Sequence, residues 1–80
     1  MKQISLNNGN TYMTAAEAIE AIYSGETRIS WDTIVWYMDD ETRERAVNET
    51  DYPAECDERT ERELFLACYL DLADTDLIIG

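Results

Sequence analysis

Between Asp39 and Glu63 the chain carries eleven carboxylates and four arginines, and any fold it adopts has to leave that segment in water. Self-repulsion among like charges opposes the compact state, so the fold itself has no need of such a run. The excess is uneven: residues 1–38 hold four acids and two bases, and residues 64–80 hold three acids and no base. The formal net charge is -12, without a single histidine. A surface of this kind repels nucleic acid and anionic lipid, and it attracts proteins whose basic grooves normally hold phosphates. It points to a protein partner.

The flanking segments supply the apolar periodicity. Lys2 to Leu6 alternates and is followed by Asn8-Gly9, a strong hairpin signal because both residues tolerate positive φ. A type I′ turn there pairs Leu6 with Thr11 and Ile4 with Met13, which buries Ile4, Leu6 and Met13 on one face. Thr14-Ala-Ala-Glu17 is a capping box, and the helix it opens is apolar at Ala15, Ala18, Ile19, Ile22 and Tyr23 until Gly25 stops it. Residues Glu26 to Ile29 read as extended. Ser30 then caps a short helix with Trp31, Ile34, Val35 and Met38 on one stripe and Trp36 roughly opposite. Asp39 or Asp40 caps a third helix reaching about Glu49, with only Ala46 and Val47 to bury. Pro53 interrupts the polar loop from Thr50 to Asp57.

A last helix starts at the capping box Thr60-Glu61-Arg62-Glu63, or a turn earlier at Asp57, and its apolar face is Leu64, Phe65, Cys68, Tyr69 and Leu72. Asp74-Thr75-Asp76 turns the chain, and Leu77-Ile78-Ile79 can add a strand to the hairpin. The expected architecture is α+β: one small domain over residues 1–80, with an N-terminal hairpin packed against three to four short helices. Trp31 and Phe65 are expected in the core.

No run approaches the roughly 20 apolar residues of a membrane span, and no basic segment followed by an apolar run opens the chain. The expected compartment is the cytoplasm. Cys68, in an apolar helical pattern, and Cys56, in an acidic loop, read as free thiols.

Lack of histidine removes the commonest general base, histidine-containing nucleophilic triads and histidine-ligated metals. Two cysteines do not make a zinc site. Asp71, Asp74 and Asp76 miss the ligand spacing of a calcium loop, and none of Ser5, Ser24 and Ser30 sits in the Asp-Ser-Leu setting of a carrier protein. A closed pocket is hard to build in 80 residues. The expectation is a non-enzyme without cofactor or metal.

The candidate partner-binding acids are Asp39, Asp40, Glu41, Glu44, Glu49, Asp51, Glu55, Asp57, Glu58 and Glu61. Pairs such as Glu41 with Arg45 or Glu58 with Arg62 are ordinary i,i+4 bridges worth a few tenths of a kcal/mol. Four arginines cannot neutralise eleven acids. Carboxylates at i,i+3 or i,i+4 lie about 5–6 Å apart, comparable with successive backbone phosphates. Trp36, off its helix's apolar stripe, and Tyr52, beside Pro53, are the candidate aromatic anchors.

The runs Trp31-Asp32-Thr33-Ile34-Val35 and Met38 to Val47 resemble a pattern in short acidic open reading frames of phages and plasmids. Cys56, then Glu63 to Leu70 and Asp76 to Gly80, continue the pattern. In size and charge the chain is similar to anti-CRISPR and antirestriction proteins, some of which are nucleic-acid mimics; it departs from them in the longer, more acidic Asn48 to Glu55 segment. The resemblance implies an inhibitor acting in a bacterial host cytoplasm on the basic DNA-binding surface of a CRISPR surveillance complex or another defence protein. The alternatives are an antitoxin or immunity-type inhibitor covering a basic nuclease site, and a plain interaction module with apolar contacts. A monomer that does not itself bind nucleic acid or membrane is expected.

Overall fold

The computed structural model describes residues 2–80. Its elements are β1 (Ile4–Ser5), β2 (Thr11–Tyr12), α1 (Ala15–Tyr23), α2 (Trp31–Tyr37), α3 (Asp40–Glu49), α4 (Glu58–Leu72) and β3 (Leu77–Ile78). The fold is α+β, with a three-stranded sheet of order β2-β1-β3 in which β1 runs antiparallel to β2 and parallel to β3. The C-terminal strand does join the hairpin: Leu77 N–H donates to Gln3 O at 3.0 Å and Ile79 N–H to Ser5 O at 2.9 Å.

The hairpin register differs from the expected one by a residue. A type I′ turn needs positive φ at both central positions, yet Gly9 (φ +85°) is left-handed and Asn8 is not. Asn8 uses its side chain instead, its Oδ1 accepting from Asn10 N–H at 2.9 Å, a local turn typical of Asn. The loop becomes Asn7-Asn8-Gly9, Leu6 N–H donates to Asn10 O, and Ile4 pairs with Tyr12. A one-residue slip exchanges the two faces of a strand. Tyr12 is therefore buried, whereas Met13 is 57% exposed.

Each helix begins where a short polar side chain can accept a free backbone N–H. The acceptors are Thr14 for Glu17, Ser30 for Thr33, Asp39 for Thr42 and Asp57 for Thr60. Asp57 thus opens α4 a turn before the Thr60 box. At the far end of α1, Gly25 (φ +81°) lets Glu26 N–H reach Ala21 O at 3.0 Å and Gly25 N–H reach Ile22 O at 3.4 Å, a Schellman closure.

The core draws on every element, with Ile4, Ile19, Ile34, Leu66 and Leu70 fully withdrawn from water. Each such side chain contributes about 1.5–3 kcal/mol before the entropy of ordering. Both α1 and α3 pack against α4. The buried stripe of α4 is Leu66, Tyr69 and Leu70, with Ala73 beside it, while Leu64, Phe65, Cys68 and Leu72 are half-buried. Residues 64–70 are apolar all round the helix, so periodicity alone could not select the inward arc. Trp31 and Phe65 likewise only flank the core, edge to face with centroids 6.1 Å apart. Tyr23 and Val47 are exposed; Ala21 and Ala46 are buried on those helices. Small residues fill these contacts because the helices pass close together.

Cys56 and Cys68 are free thiols. Among the described residues no helix is long and apolar enough to cross a membrane.

Candidate acidic partner-binding surface

The acidic segment folds back on itself. Asp39 N–H donates to Tyr69 OH at 2.9 Å, which pins the start of α3 to the C-terminal half of α4. Val47, two turns on, shares a groove with Glu61 and Phe65 from the N-terminal half of α4. The two helices are therefore antiparallel, and their caps, Asp39 and Asp57, mark opposite ends of the pair. All ten expected carboxylates are exposed. They are not gathered at a point: α3 alone is ten residues, about 15 Å long. Among the described residues no three acids or thiols converge as metal ligands do. The arrangement is a band.

Two acids outside the expected set belong to this band. Asp74 lines a concavity of about 440 Å³ with Asp39, Glu41, Arg45 and Tyr69, and Asp71 lines one of about 400 Å³ with Glu49, Asp51 and Cys68. Asp71 was accessible to sequence reasoning, because it sits at helical spacing from Leu64 and Cys68. Asp74 was not, because its position depends on how the chain leaves α4.

The arginines of the segment are engaged within the molecule. Arg43 pairs with Asp40 at 3.1 Å, Arg45 with Glu49 at 3.5 Å rather than with Glu41, and Arg62 with Glu58 at 3.1 Å. Arg59 reaches across to Glu20 on α1 and lies over the Tyr23 ring. Glu41, Glu44, Asp51, Glu55 and Glu61 have no ion pair among the described residues.

No family model, curated protein or solved structure matches this chain.

Asp39 and Asp57 hold a structural duty as well as a charge. Hydrogen bonds from Thr42 lower the Asp39 carboxyl from its ordinary value, and those from Thr60 lower Asp57. Both stay ionised at neutral pH, as caps and as part of the band. Burial, and then the charges of Glu61 and Asp57, push the Cys56 thiol up, which makes it a poor nucleophile.

The two candidate aromatics go to different places. Tyr52 joins Trp31, Val35, Val47 and Phe65 around a groove of about 390 Å³ whose acids are Glu58 and Glu61. Burial, and then Glu61, raise its phenol pKa. Trp36 is 78% exposed on α2, with its ring centroid 5.2 Å from that of Tyr37 in an edge-to-face pair. Trp36 is not core.

Proposed function

We propose that this protein inhibits a nucleic-acid-binding protein by laying its α3/α4 carboxylate band along the basic groove that otherwise grips a phosphate backbone. One observation carries the reading. The arginines of the acidic segment are consumed by contacts within the chain, while Glu41, Glu44, Asp51, Glu55 and Glu61 stand exposed without a cation. Three of the four arginines pair along the surface of their own helix and Arg59 pairs with Glu20, so the acids left over give the outward field a negative sign, at helical spacings close to those of phosphates. The resemblance to anti-CRISPR and antirestriction proteins makes a CRISPR surveillance complex the first target to test.

The test is competition. Target DNA labelled with a fluorophore is bound to a panel of surveillance complexes, and its release is followed by anisotropy as this protein is added. Release is expected at low salt and should weaken steeply towards 0.5 M, as screening requires. Reversing Glu41 and Glu44 to lysine should reduce inhibition strongly, since each charge-assisted contact contributes about 1.5–3 kcal/mol. Reversing Glu17 and Glu26, on the α1 side, should not. Equal effects of the two pairs, or displacement that survives high salt, would leave no role for a localised phosphate-like surface. Loss of nuclease activity on free substrate, with guide-directed DNA binding intact, would move the target to a nuclease active site.

A further inference from the structure

The chain places a guanidinium beside an aromatic ring and a carboxylate twice. On α1, Glu20 and Tyr23 lie one turn apart and together receive Arg59 from α4: the carboxylate takes the ion pair and the ring lies 5.2 Å from the guanidinium carbon. Beside α2, Arg62 lies 5.6 Å from the centroid of the Trp31 ring while Glu58 holds its Nη1 at 3.1 Å. The physics is the same in both places. The negative face of the ring attracts the cation, and the carboxylate accepts from the guanidinium fork.

A third pair of this kind exists without its arginine. Asp32 and Trp36 are i,i+4 on α2, a spacing that puts their Cβ atoms about 5–6 Å apart on one face. Both are exposed. Asp32 has no ion pair, and no cation lies over the Trp36 ring, among the described residues. The ring is braced on one side by Tyr37, which limits the orientations it can take. Tryptophan is among the residue types most enriched as interface anchors.

We infer that Asp32 and Trp36 form a receptor for an arginine side chain of the partner. The inference rests on the partner being a basic, phosphate-gripping protein, and it adds a directional contact to a surface that otherwise acts by charge. The selection of arginine over lysine follows from shape: a planar guanidinium stacks on indole while its fork still addresses the Asp32 carboxylate, whereas an ammonium is a strongly hydrated point charge.

The test uses the whole protein with two labelled probes, hexa-arginine and hexa-lysine peptides, titrated at low salt by anisotropy. The unmodified protein should bind hexa-arginine roughly threefold or more tighter than hexa-lysine, the scale of one exposed cation–π contact with its carboxylate. Trp36→Leu and Asp32→Asn should each close that gap while leaving hexa-lysine binding and the thermal midpoint nearly unchanged. In NMR spectra the Trp36 indole N–H should shift with hexa-arginine, and that of Trp31 should not. Equal binding of the two peptides, or a gap that persists in both variants, overturns the receptor while leaving the carboxylate band in place. Failure of both peptides to bind at low salt overturns the band as well.

Discussion

Removing the hydroxyl of Tyr69 should loosen the acidic band without emptying the core. The Tyr69 ring is buried in the α4 stripe, and its hydroxyl accepts the Asp39 N–H at 2.9 Å in a half-buried position. Tyr69→Phe keeps the ring and its packing, so the cost is confined to one hydrogen bond and one stranded backbone donor. Such a bond is worth about 1 kcal/mol net, rising towards about 3 kcal/mol where water cannot replace the acceptor. Asp39 lies at the surface end of the junction, so the lower figure applies. For a domain of this size about 1 kcal/mol lowers the thermal midpoint by roughly 4–8 °C. Urea unfolding followed by circular dichroism measures the stability, and native-state hydrogen exchange reports on the Asp39 amide itself. Exchange at Asp39 should accelerate more than exchange along α4. A variant with an unchanged midpoint and a still-protected Asp39 amide would refute the tether, and with it the idea that the start of α3 is fixed by Tyr69.

The hairpin register can be tested by a matched pair: Met13→Lys should change stability by less than about 0.5 kcal/mol, whereas Tyr12→Ala should cost about 3 kcal/mol or more; the opposite order would restore a Leu6–Thr11 pairing. Asp39 and Asp57 have folded pKa values below their unfolded ones, so the stability they confer is present above about pH 4 and is lost as pH falls through the folded values. An acid titration of Asp39→Asn/Asp57→Asn should lose less stability below pH 4 than the parent does, and identical profiles would remove the caps from the acid transition. A gel shift with DNA or RNA at low salt should show no complex, because net -12 meets a polyanion; micromolar binding would contradict the mimicry.

Where a local rule has one physical solution, the sequence was a sufficient guide. Thr14 and Ser30 cap their helices because a short acceptor before an apolar repeat has little else to do, and Gly25 stops α1 because only a glycine enters the left-handed region cheaply there; between Asp39 and Asp40 the sequence leaves the cap of α3 open, and Asp39 takes it. The sequence is ambiguous where two solutions differ by tertiary context. Asn8-Gly9 is compatible with a two- or three-residue loop, and the choice rests on whether Asn8 turns its backbone or its side chain to the task. The run from Leu64 to Leu70 is apolar in every direction, so its inward arc depends on α1 and α3 arriving from particular sides. The acids themselves were readable one by one. That Arg59 and Arg62 would turn to Glu20, Tyr23 and Trp31 was not, because those contacts join residues 39 or about 30 positions apart.

The parallel pairing of β1 with β3 has a consequence for the order in which the molecule assembles. Gln3 accepts from Leu77 and donates to Asp76, contacts that span 74 and 73 positions of an 80-residue chain. During synthesis β1 emerges before the four helices and β3 after them, so the edge of β1 that β3 will cover stays open while those helices are being made. Contacts this distant are slow to close and add little to early stability. Until β3 arrives, β2 is the strand that pairs with β1, through Ile4 with Tyr12 and Ser5 with Thr11. Mechanical or proteolytic opening should begin at this seam, by peeling β3 from β1, before the acidic helices part.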